Sequence, residues 1–267
     1  MPLDISKLYL ALPALALVFF RLVGLVITAP LLSAAVIPRR IRAAMVMVLA
    51  VMIFPMVVAQ PGALDASLST VVVGGVTELM IGAAVGLSLT LLLMGAQVAG
   101  ELISQQAGMS LGEVINPFLG ANVSVLTQVY AMVVTLFFLL ADGHRAMMAA
   151  LLDTFTVIPV LSYRPGDSVV LLLVEALTSA FILGVRLAAP VVISLFLTET
   201  ALALLSRTMP QLNILSVGFS LRVMLALAVA ALTLTACQGT LLRAIGEGLD
   251  LVRGAFGLGL DTWSARP

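Results

Sequence analysis

The sequence has too little charge for a water-soluble domain. Only 10% of its 267 residues are charged, and 62% are hydrophobic. A soluble domain carries about 25% charged and roughly 45–50% apolar residues. Because so few charged side chains cannot cover a surface that faces water, lipid or partner subunits must cover much of this chain. The composition is that of a membrane-associated protein.

Reactive and metal-binding side chains are equally scarce. Cys237 is the only cysteine and His144 the only histidine, which excludes an internal disulfide and argues against cysteine-based or histidine-rich metal sites. The thirteen basic and thirteen acidic side chains cancel, so the charge balance gives no sign of nucleic-acid binding. We expect no metal, no cofactor and no nucleic-acid partner.

The sequence contains long apolar runs with very few charged residues. Six runs are long enough, at roughly 17–25 residues or more, to form membrane-spanning helices. They lie at about 9–29, 43–60, 70–98, 123–141, 168–206 and 214–237. The first run follows Lys7 and exceeds a signal-peptide core of about 7–15 residues, so it predicts a retained transmembrane helix. The runs together predict an all-α, multi-helix membrane-associated protein.

Two apolar runs are longer than a bilayer is thick. A helix over 168–206 would be roughly 58 Å long, about twice the hydrocarbon thickness, and 70–106 presents the same problem. Either Gly184 and Pro190 break the later run into a hairpin, or a long helix extends beyond the bilayer inside a protein assembly.

Several charged side chains fall inside or at the end of apolar runs. They are Arg21, Glu78, Arg186, Glu199, Arg207 and Arg222. Each would cost about 2.5–3.5 kcal/mol if it faced lipid, so each must pair, face a wet cavity or contact a partner. We interpret them, Arg222 apart, as buried charges needed for assembly. The alternative is a proton or substrate relay, as in a secondary transporter.

Small residues mark a helix contact. Gly82 and Gly86 form a GxxxG motif within the 70–98 run, and such a motif lets membrane helices approach closely. The motif is common in membrane helices, so it predicts packing without indicating a function.

A polar stripe lies near the end of the 70–106 run. Gln97, Glu101 and Gln105 follow one another at i, i+4 and i+8, which places them on one face of a helix. Such a face meets water or another polar helix rather than lipid. If the face meets water, these three side chains would line a wet path; contact with another polar helix is the alternative.

The following segment combines glycine with bulky apolar side chains. Gly108 and Gly112 are expected to break the helix, because glycine readily leaves helical geometry. A flexible apolar segment after a polar helix face could plug a wet path, whereas the simpler interpretation is a surface loop. The predicted plug residues are Gly108, Met109, Ser110, Leu111, Gly112 and Phe118.

Residues 108–112 also fit G-x-S-x-G, the pattern of a serine nucleophile elbow. That elbow needs a strand before the serine, whereas a helix is predicted before Ser110. His144 with Asp142 or Asp153 would complete a triad, as in an intramembrane serine protease. We disfavour this alternative and expect no catalytic residue and no enzymatic activity.

The C-terminal region predicts an amphipathic helix over about 241–262. Its apolar positions follow a 3-4-3-4 spacing. They are Leu242, Ile245, Leu249, Val252 and Phe256. Lying on the membrane and docking a neighbouring subunit both fit this pattern.

Six stretches between about residues 10 and 240 occur in a familiar order. They are FFRLVGLVITAP, VIPRRIR, VTELMIGAAVGL, GELISQQAGMSLGEVINP, FFLLADGHRAMMAALLDTF and SRTMPQLNILSVGFSLR. In this order they resemble the FliR/SctT family, the export-gate subunits of flagellar and virulence type III secretion systems. MPQLNILSVGFSLR is more similar to the flagellar branch, and an SctT-type injectisome subunit is the alternative.

The resemblance implies a non-enzymatic component of a helical export-gate complex, built from long helical hairpins. It implies a single domain over 1–267, with a FliP-like part at about 10–160, a plug loop at 108–123, a FliQ-like hairpin at about 165–240 and the C-terminal helix at 241–262. FliP-type, FliQ-type and FlhB/SctU-type subunits, unfolded export substrates and membrane lipid would be its partners. The expected location is the bacterial inner membrane, within the flagellar basal body.

Overall fold

A computed structural model of the chain describes residues 5–33, 37–58, 68–109, 124–163, 167–208 and 214–258. These residues form eight α-helices and contain no β-strand. In chain order the helices are α1 (Ile5–Thr28), α2 (Arg39–Val58), α3 (Leu68–Ala107), α4 (Val125–Leu140), α5 (Gly143–Val157), α6 (Asp167–Thr208), α7 (Ile214–Ala236) and α8 (Gln238–Ala255). The predicted all-α fold class is confirmed.

The two longest apolar runs are single helices. α3 has 40 residues and α6 has 42, which correspond to about 60 Å and 63 Å. Pro190 lies inside α6, and Gly184 lies in the same helix. The alternative in which these two residues fold the run into a hairpin is therefore wrong. Both helices are longer than a hydrocarbon layer of about 30 Å is thick.

Within the described residues, four helices are long and apolar enough to cross a membrane. They are α2, Thr70–Ala107 of α3, Ser168–Thr208 of α6 and Gly218–Ala236 of α7. The short helices α4 and α5 add a fifth crossing if they form one broken span. Leu12–Thr28 of α1 is apolar but shorter, so a transmembrane α1 stays a prediction.

The chain divides into two compact units. Unit 1 holds the described residues up to Leu91, those of Asp142–Leu177 and those from Ile245 onward. Unit 2 holds the described residues of Leu92–Ala141 and Thr178–Ala244. Each unit draws on separate parts of the sequence. The predicted single domain with FliP-like and FliQ-like parts stays a prediction.

In unit 1, helices α1 and α3 touch through their backbones, and α1 also packs against α2. A Cβ atom on Gly24 would overlap the carbonyl oxygen of Leu79, and one on Gly82 would overlap that of Arg21. Gly86 is in equally close contact with the end of α1. The close helix contact predicted from the GxxxG motif is confirmed.

Helix α8 buries its apolar face within its own chain. Four of the five predicted apolar positions are at most 5% exposed: Ile245, Leu249, Val252 and Phe256. Leu242 is 38% exposed, and Leu241 is buried instead. Both predicted roles of this face, lying on the membrane and docking a neighbouring subunit, are therefore wrong. The predicted residues 259–262 lie outside the described residues.

In unit 2, glycines bring α3 close to α6 and α4. A Cβ atom on Gly95 would overlap the backbone of Ala180, and one on Gly184 would lie 2.7 Å from the carbonyl oxygen of Gly95. A Cβ atom on Gly100 would meet the backbone of Thr127 in α4. The C-terminal part of α3 is thus fixed by backbone contacts on two sides.

Candidate functional site

The most deeply buried charges among the described residues form an ion pair in unit 1. Arg21 of α1 and Glu78 of α3 are both fully buried. The Arg21 Nε donates a hydrogen bond to Glu78 Oε2 at 2.6 Å, and Arg21 Nη2 lies 2.5 Å from the same oxygen. The guanidinium carbon also lies 4.2 Å from the ring centre of Phe155, which is a cation–π contact. Each charge is therefore compensated inside the protein.

Three further groups of unit 1 complete the hydrogen bonds of this pair. Arg21 Nη1 donates to Thr154 Oγ1 at 3.1 Å, and Nη2 donates to the carbonyl oxygen of Ile158 at 3.2 Å. The backbone N–H of Leu161 donates to Glu78 Oε1 at 3.1 Å. The pair thus joins α1, α3, α5 and the connection from α5 to α6. We call these residues, with Phe155, the ion-pair cluster.

Leu161 has an unusual backbone conformation for a leucine. Its φ angle is 66°, in the left-handed region that β-carbon-bearing residues seldom adopt. Its side chain fills the space where Gly74 has no Cβ atom. The hydrogen bond to Glu78 and this packing hold the conformation, so the cluster fixes the backbone at Leu161, shortly after the end of α5.

Glu199 binds two side chains in unit 2. Its Oε1 accepts a hydrogen bond from Arg222 Nη1 at 3.0 Å, and its Oε2 accepts one from Gln106 Nε2 at 3.2 Å. The contacts join α6 to α7 and α3. Both side chains of the ion pair are 32% exposed, so Glu199 is half-buried rather than buried as predicted.

Arg186 and Arg207 are exposed on this chain. Neither has an ion-pair or hydrogen-bond partner among the described residues. The prediction that they are buried is wrong for the chain by itself, because both side chains are exposed. Contact with a neighbouring subunit remains the prediction for both.

Glu101 anchors the polar stripe of α3. Its Oε1 accepts a hydrogen bond from Gln105 Nε2 at 3.0 Å, and its Oε2 accepts one from Thr127 Oγ1 at 3.2 Å. Thr127 lies in the first turn of α4. The Ser124 side chain caps this helix by accepting a hydrogen bond from the backbone N–H of Thr127. Gln97 and Gln105 are exposed and Glu101 is half-buried. That this face lines a wet path stays a prediction.

Gly108 ends α3 in a left-handed conformation, with a φ angle of 77°. Its N–H donates to the Gln105 carbonyl at 3.1 Å, and the Met109 N–H donates to the Ser104 carbonyl at 3.0 Å. This pair of bonds is a Schellman cap, in which glycine avoids the cost that a Cβ atom would bring. The predicted helix break at Gly108 is confirmed. Residues 110–123 lie outside the described part of the chain, and with them the predicted plug residues Ser110, Leu111, Gly112 and Phe118.

The aspartates of the alternative serine triad bind arginines instead of histidine. Asp142 lies 3.8 Å from Arg145, and Asp153 accepts a hydrogen bond from Arg253 at 3.0 Å. His144 Nδ1 is buried without a hydrogen-bond partner among the described residues. A triad histidine needs a carboxylate on this nitrogen to fix its orientation. The arrangement therefore gives no support to a serine protease.

A groove lies between α3 and α6 in unit 2. Its cavity volume is about 370 Å³. Its walls are mainly apolar, with two glutamine amides from the end of α3. The lining residues are Leu102, Gln105, Gln106, Val185, Ala188, Ala189, Val192 and Ile193. We call this surface the α3–α6 groove.

Sequence reasoning missed several partners of these charged groups. Thr154 is 133 residues from Arg21, Leu161 is 83 from Glu78 and Gln106 is 93 from Glu199. Threonines occur throughout the apolar runs, so Thr154 carried no signal. Gln106 could have been found, because a second amide beside Gln105 widens the polar part of α3.

Known proteins resemble this chain over most of its length. The family described as bacterial export proteins, family 1, matches residues 12–248. The flagellar biosynthetic protein FliR of Caulobacter vibrioides is 32% identical over 221 residues, which cover 82% of this chain and 88% of that protein. FliR of Bacillus subtilis is 28% identical over 253 residues, covering 94% and 93%, and FliR of Escherichia coli K12 is 29% identical over 211 residues, covering 79% and 80%. The chain therefore belongs to the bacterial export proteins of family 1, the family of the flagellar biosynthetic proteins FliR.

Proposed function

We propose that this protein is a non-enzymatic component of the flagellar protein export gate, through which unfolded flagellar substrates cross the bacterial inner membrane. The match of residues 12–248 to an export-protein family, with relatives that are flagellar FliR proteins, carries this proposal. The apolar helices support it, because the most apolar windows of α2, α6 and α7 are only 22%, 28% and 17% buried by the chain itself. Such helices need lipid or neighbouring subunits to cover them.

The partners in this proposal are FliP-type and FliQ-type subunits and an FlhB-type subunit within the basal body. The ion-pair cluster would hold α1, α3 and α5 in one arrangement, against which partner helices assemble. Arg186 and Arg207 are exposed and without a charged partner among the described residues, which suits contacts with those subunits.

Residues 108–123 form the channel plug in this proposal. Support comes from the end of α3, where the polar face around Glu101 precedes the Gly108 cap. A narrow constriction of bulky apolar side chains stops hydrated ions by dewetting. Met109, Leu111 and Phe118 supply such side chains. Removing the segment would therefore open the closed channel to ions.

Co-purification tests the proposal that the chain is a gate subunit. The tagged chain is co-expressed with the FliP-type and FliQ-type proteins of its own organism and purified in mild detergent. We expect one complex that contains all three proteins, and we expect a strain without this chain to stop secreting flagellar proteins. An unrelated tagged multi-pass protein serves as the control for non-specific recovery. Failure to recover the partners, or solute transport by the chain alone in liposomes, would contradict the proposal.

A further inference from the structure

Helix α6 exposes apolar side chains on both sides of Arg186. Phe181, Ile182 and Val185 precede the arginine, Ile193, Phe196 and Leu197 follow it, and all six are 46–63% exposed. A bilayer covers about 20 residues of a helix, whereas α6 has 42. Lipid therefore cannot cover the whole exposed face of this helix.

The stretch after Arg186 lies at the level of polar side chains. α3 and α6 run parallel in unit 2, since Gly95 is beside Ala180 and Gln106 is hydrogen-bonded to Glu199. Residues 193–197 are thus beside the end of α3, which carries the polar stripe. Hydrocarbon does not accommodate such a polar face, and a large exposed apolar patch in water marks an interaction site. A protein helix can contact both the apolar side chains of residues 193–197 and the polar end of α3 beside them.

Arg186 supplies the charge that selects the partner. It lies three residues before Ala189 and seven before Ile193, so all three share a face of α6. Ala189 and Ile193 line the α3–α6 groove. Arg186 is exposed and has no charged partner among the described residues. A helix seated in the groove would desolvate this guanidinium, which then requires a carboxylate.

We infer that the α3–α6 groove receives an apolar helix of a neighbouring export-gate subunit, and that this helix brings a carboxylate to Arg186. The small side chains of Ala188 and Ala189 let a helix approach closely, and the amides of Gln105 and Gln106 offer hydrogen bonds at the other end. The inference rests on the proposed function, because it requires a complex with other subunits.

A different subunit fits the groove better than a second copy of this chain. Two copies that met through the same groove would bring the same residues together, as a two-fold contact requires. The carboxylate of α6 beyond Arg186 is Glu199, which already binds Arg222 and Gln106. Glu175 of α6 is exposed but lies eleven residues before Arg186, outside the stretch 185–193 that lines the groove. A two-fold contact through the groove would therefore leave Arg186 without a free carboxylate there.

Charge reversal at Arg186 tests the inference in the co-purified complex. We expect Arg186→Glu to reduce the recovered partner protein by about tenfold or more, because it places like charges in a desolvated contact. Arg186→Lys keeps the charge and should retain most of the partner. Arg243→Glu is the matched control, since Arg243 is exposed on α8 and is not among the residues that line the groove. Recovery of partners at the wild-type level with Arg186→Glu would overturn the inference.

A photo-crosslinker tests the inference even if the Arg186→Glu variant does not accumulate in the membrane. Ile193 is replaced by p-benzoylphenylalanine in the otherwise native complex, and the crosslinked peptide is identified by mass spectrometry. We expect a partner peptide with an aspartate or glutamate within about one or two helical turns of the crosslink. Adducts with lipid only, with a second copy of this chain, or none at all would overturn the inference. If the unmodified chain recovers no partner, the proposed function itself has failed; if it does and both tests are negative, only the groove assignment has failed.

Discussion

Arg21 and Glu78 stabilise unit 1 only as a pair. Each is fully buried, and together they hold Thr154 and the backbone of Leu161. Removing one member of a buried pair leaves an uncompensated charge and costs about 3–5 kcal/mol, whereas replacing both with apolar side chains is often near neutral. A structural pair and a proton relay therefore respond differently to single and double substitution.

We expect Glu78→Leu to lower the stability of the complex by about 3–5 kcal/mol, because it strands the Arg21 guanidinium. The double variant Arg21→Met/Glu78→Leu should recover most of this lost stability. Recovery should not be complete, because the N–H of Leu161 loses its hydrogen bond to Glu78. Thermal unfolding in detergent and the yield of assembled complex measure both effects.

Arg145→Met is the control for that comparison. The Arg145 and Asp142 side chains are 76% and 55% exposed, and their closest charged atoms are 3.8 Å apart. An exposed pair contributes little, so this variant should match the wild type to within about 0.5 kcal/mol. Normal assembly with abolished export in Glu78→Leu would contradict the structural role and indicate a relay.

The sequence revealed these charges but not their surroundings. Arg21 and Arg186 look alike as single arginines within apolar runs, yet one is buried and the other is exposed. Arg21 is buried because it pairs with Glu78, which lies 57 residues away in the sequence. The close glycine contact between α1 and α3 brings the two side chains together. Apolar composition alone cannot specify such a long-range approach.

At the scale of helices, the contact between α1 and α3 depends on glycine. A Cβ atom on Gly82 would overlap the Arg21 carbonyl, so Gly82→Ala must push the helices apart and strain the ion pair. We expect a loss of about 1–3 kcal/mol, typical of overpacking, read as a lower midpoint of thermal unfolding.

Gly254→Ala provides the matched control for Gly82→Ala. Gly254 lies in α8, and a Cβ atom there would meet no atom within 4 Å. The substitution should leave stability unchanged or raise it by up to about 1 kcal/mol, because alanine favours helix. Equal losses from both alanines would show that α1 and α3 are not in close contact.

Helix α8 gives a test of where its apolar face is buried. Ile245 is 2% exposed within the chain, so Ile245→Ala should cost about 2–5 kcal/mol even when no partner subunit is present. Glu247→Ala, at an exposed position of the same helix, should change little. If Ile245→Ala affected only the assembled complex, the face would bind a neighbouring subunit instead.

Periodicity predicted the helices well but not what covers them. The 3-4-3-4 spacing identified the buried face of α8. The same spacing is expected whether that face contacts the membrane, a partner subunit or the rest of the chain, because all three present apolar surfaces. Pro190 suggested a break in α6 because proline removes a backbone hydrogen bond. The helix continues through it, since neighbouring groups in membrane helices can compensate.

For the molecule as a whole, the wide exposed apolar faces and the family membership lead to the same conclusion. The chain does not bury α2, α6 and α7 by itself, so it is built to work within a membrane assembly. In the proposed gate we expect the end of α3 to matter most, because its polar face and the Gly108 cap precede the proposed plug. In the proposed gate, this plug is what keeps the channel closed to ions.

Ion conductance of the purified complex in planar bilayers tests whether residues 108–123 plug the channel. The complex is compared with one that lacks residues 108–121, and with one carrying Met109→Ser, Leu111→Ser and Phe118→Ser, which keeps the segment's length. We expect all three to assemble, the unmodified complex to stay closed, and both variants to leak small ions, because the apolar constriction is gone. A deletion complex that assembles fully and stays as tight as the unmodified one would show that this segment is not the plug.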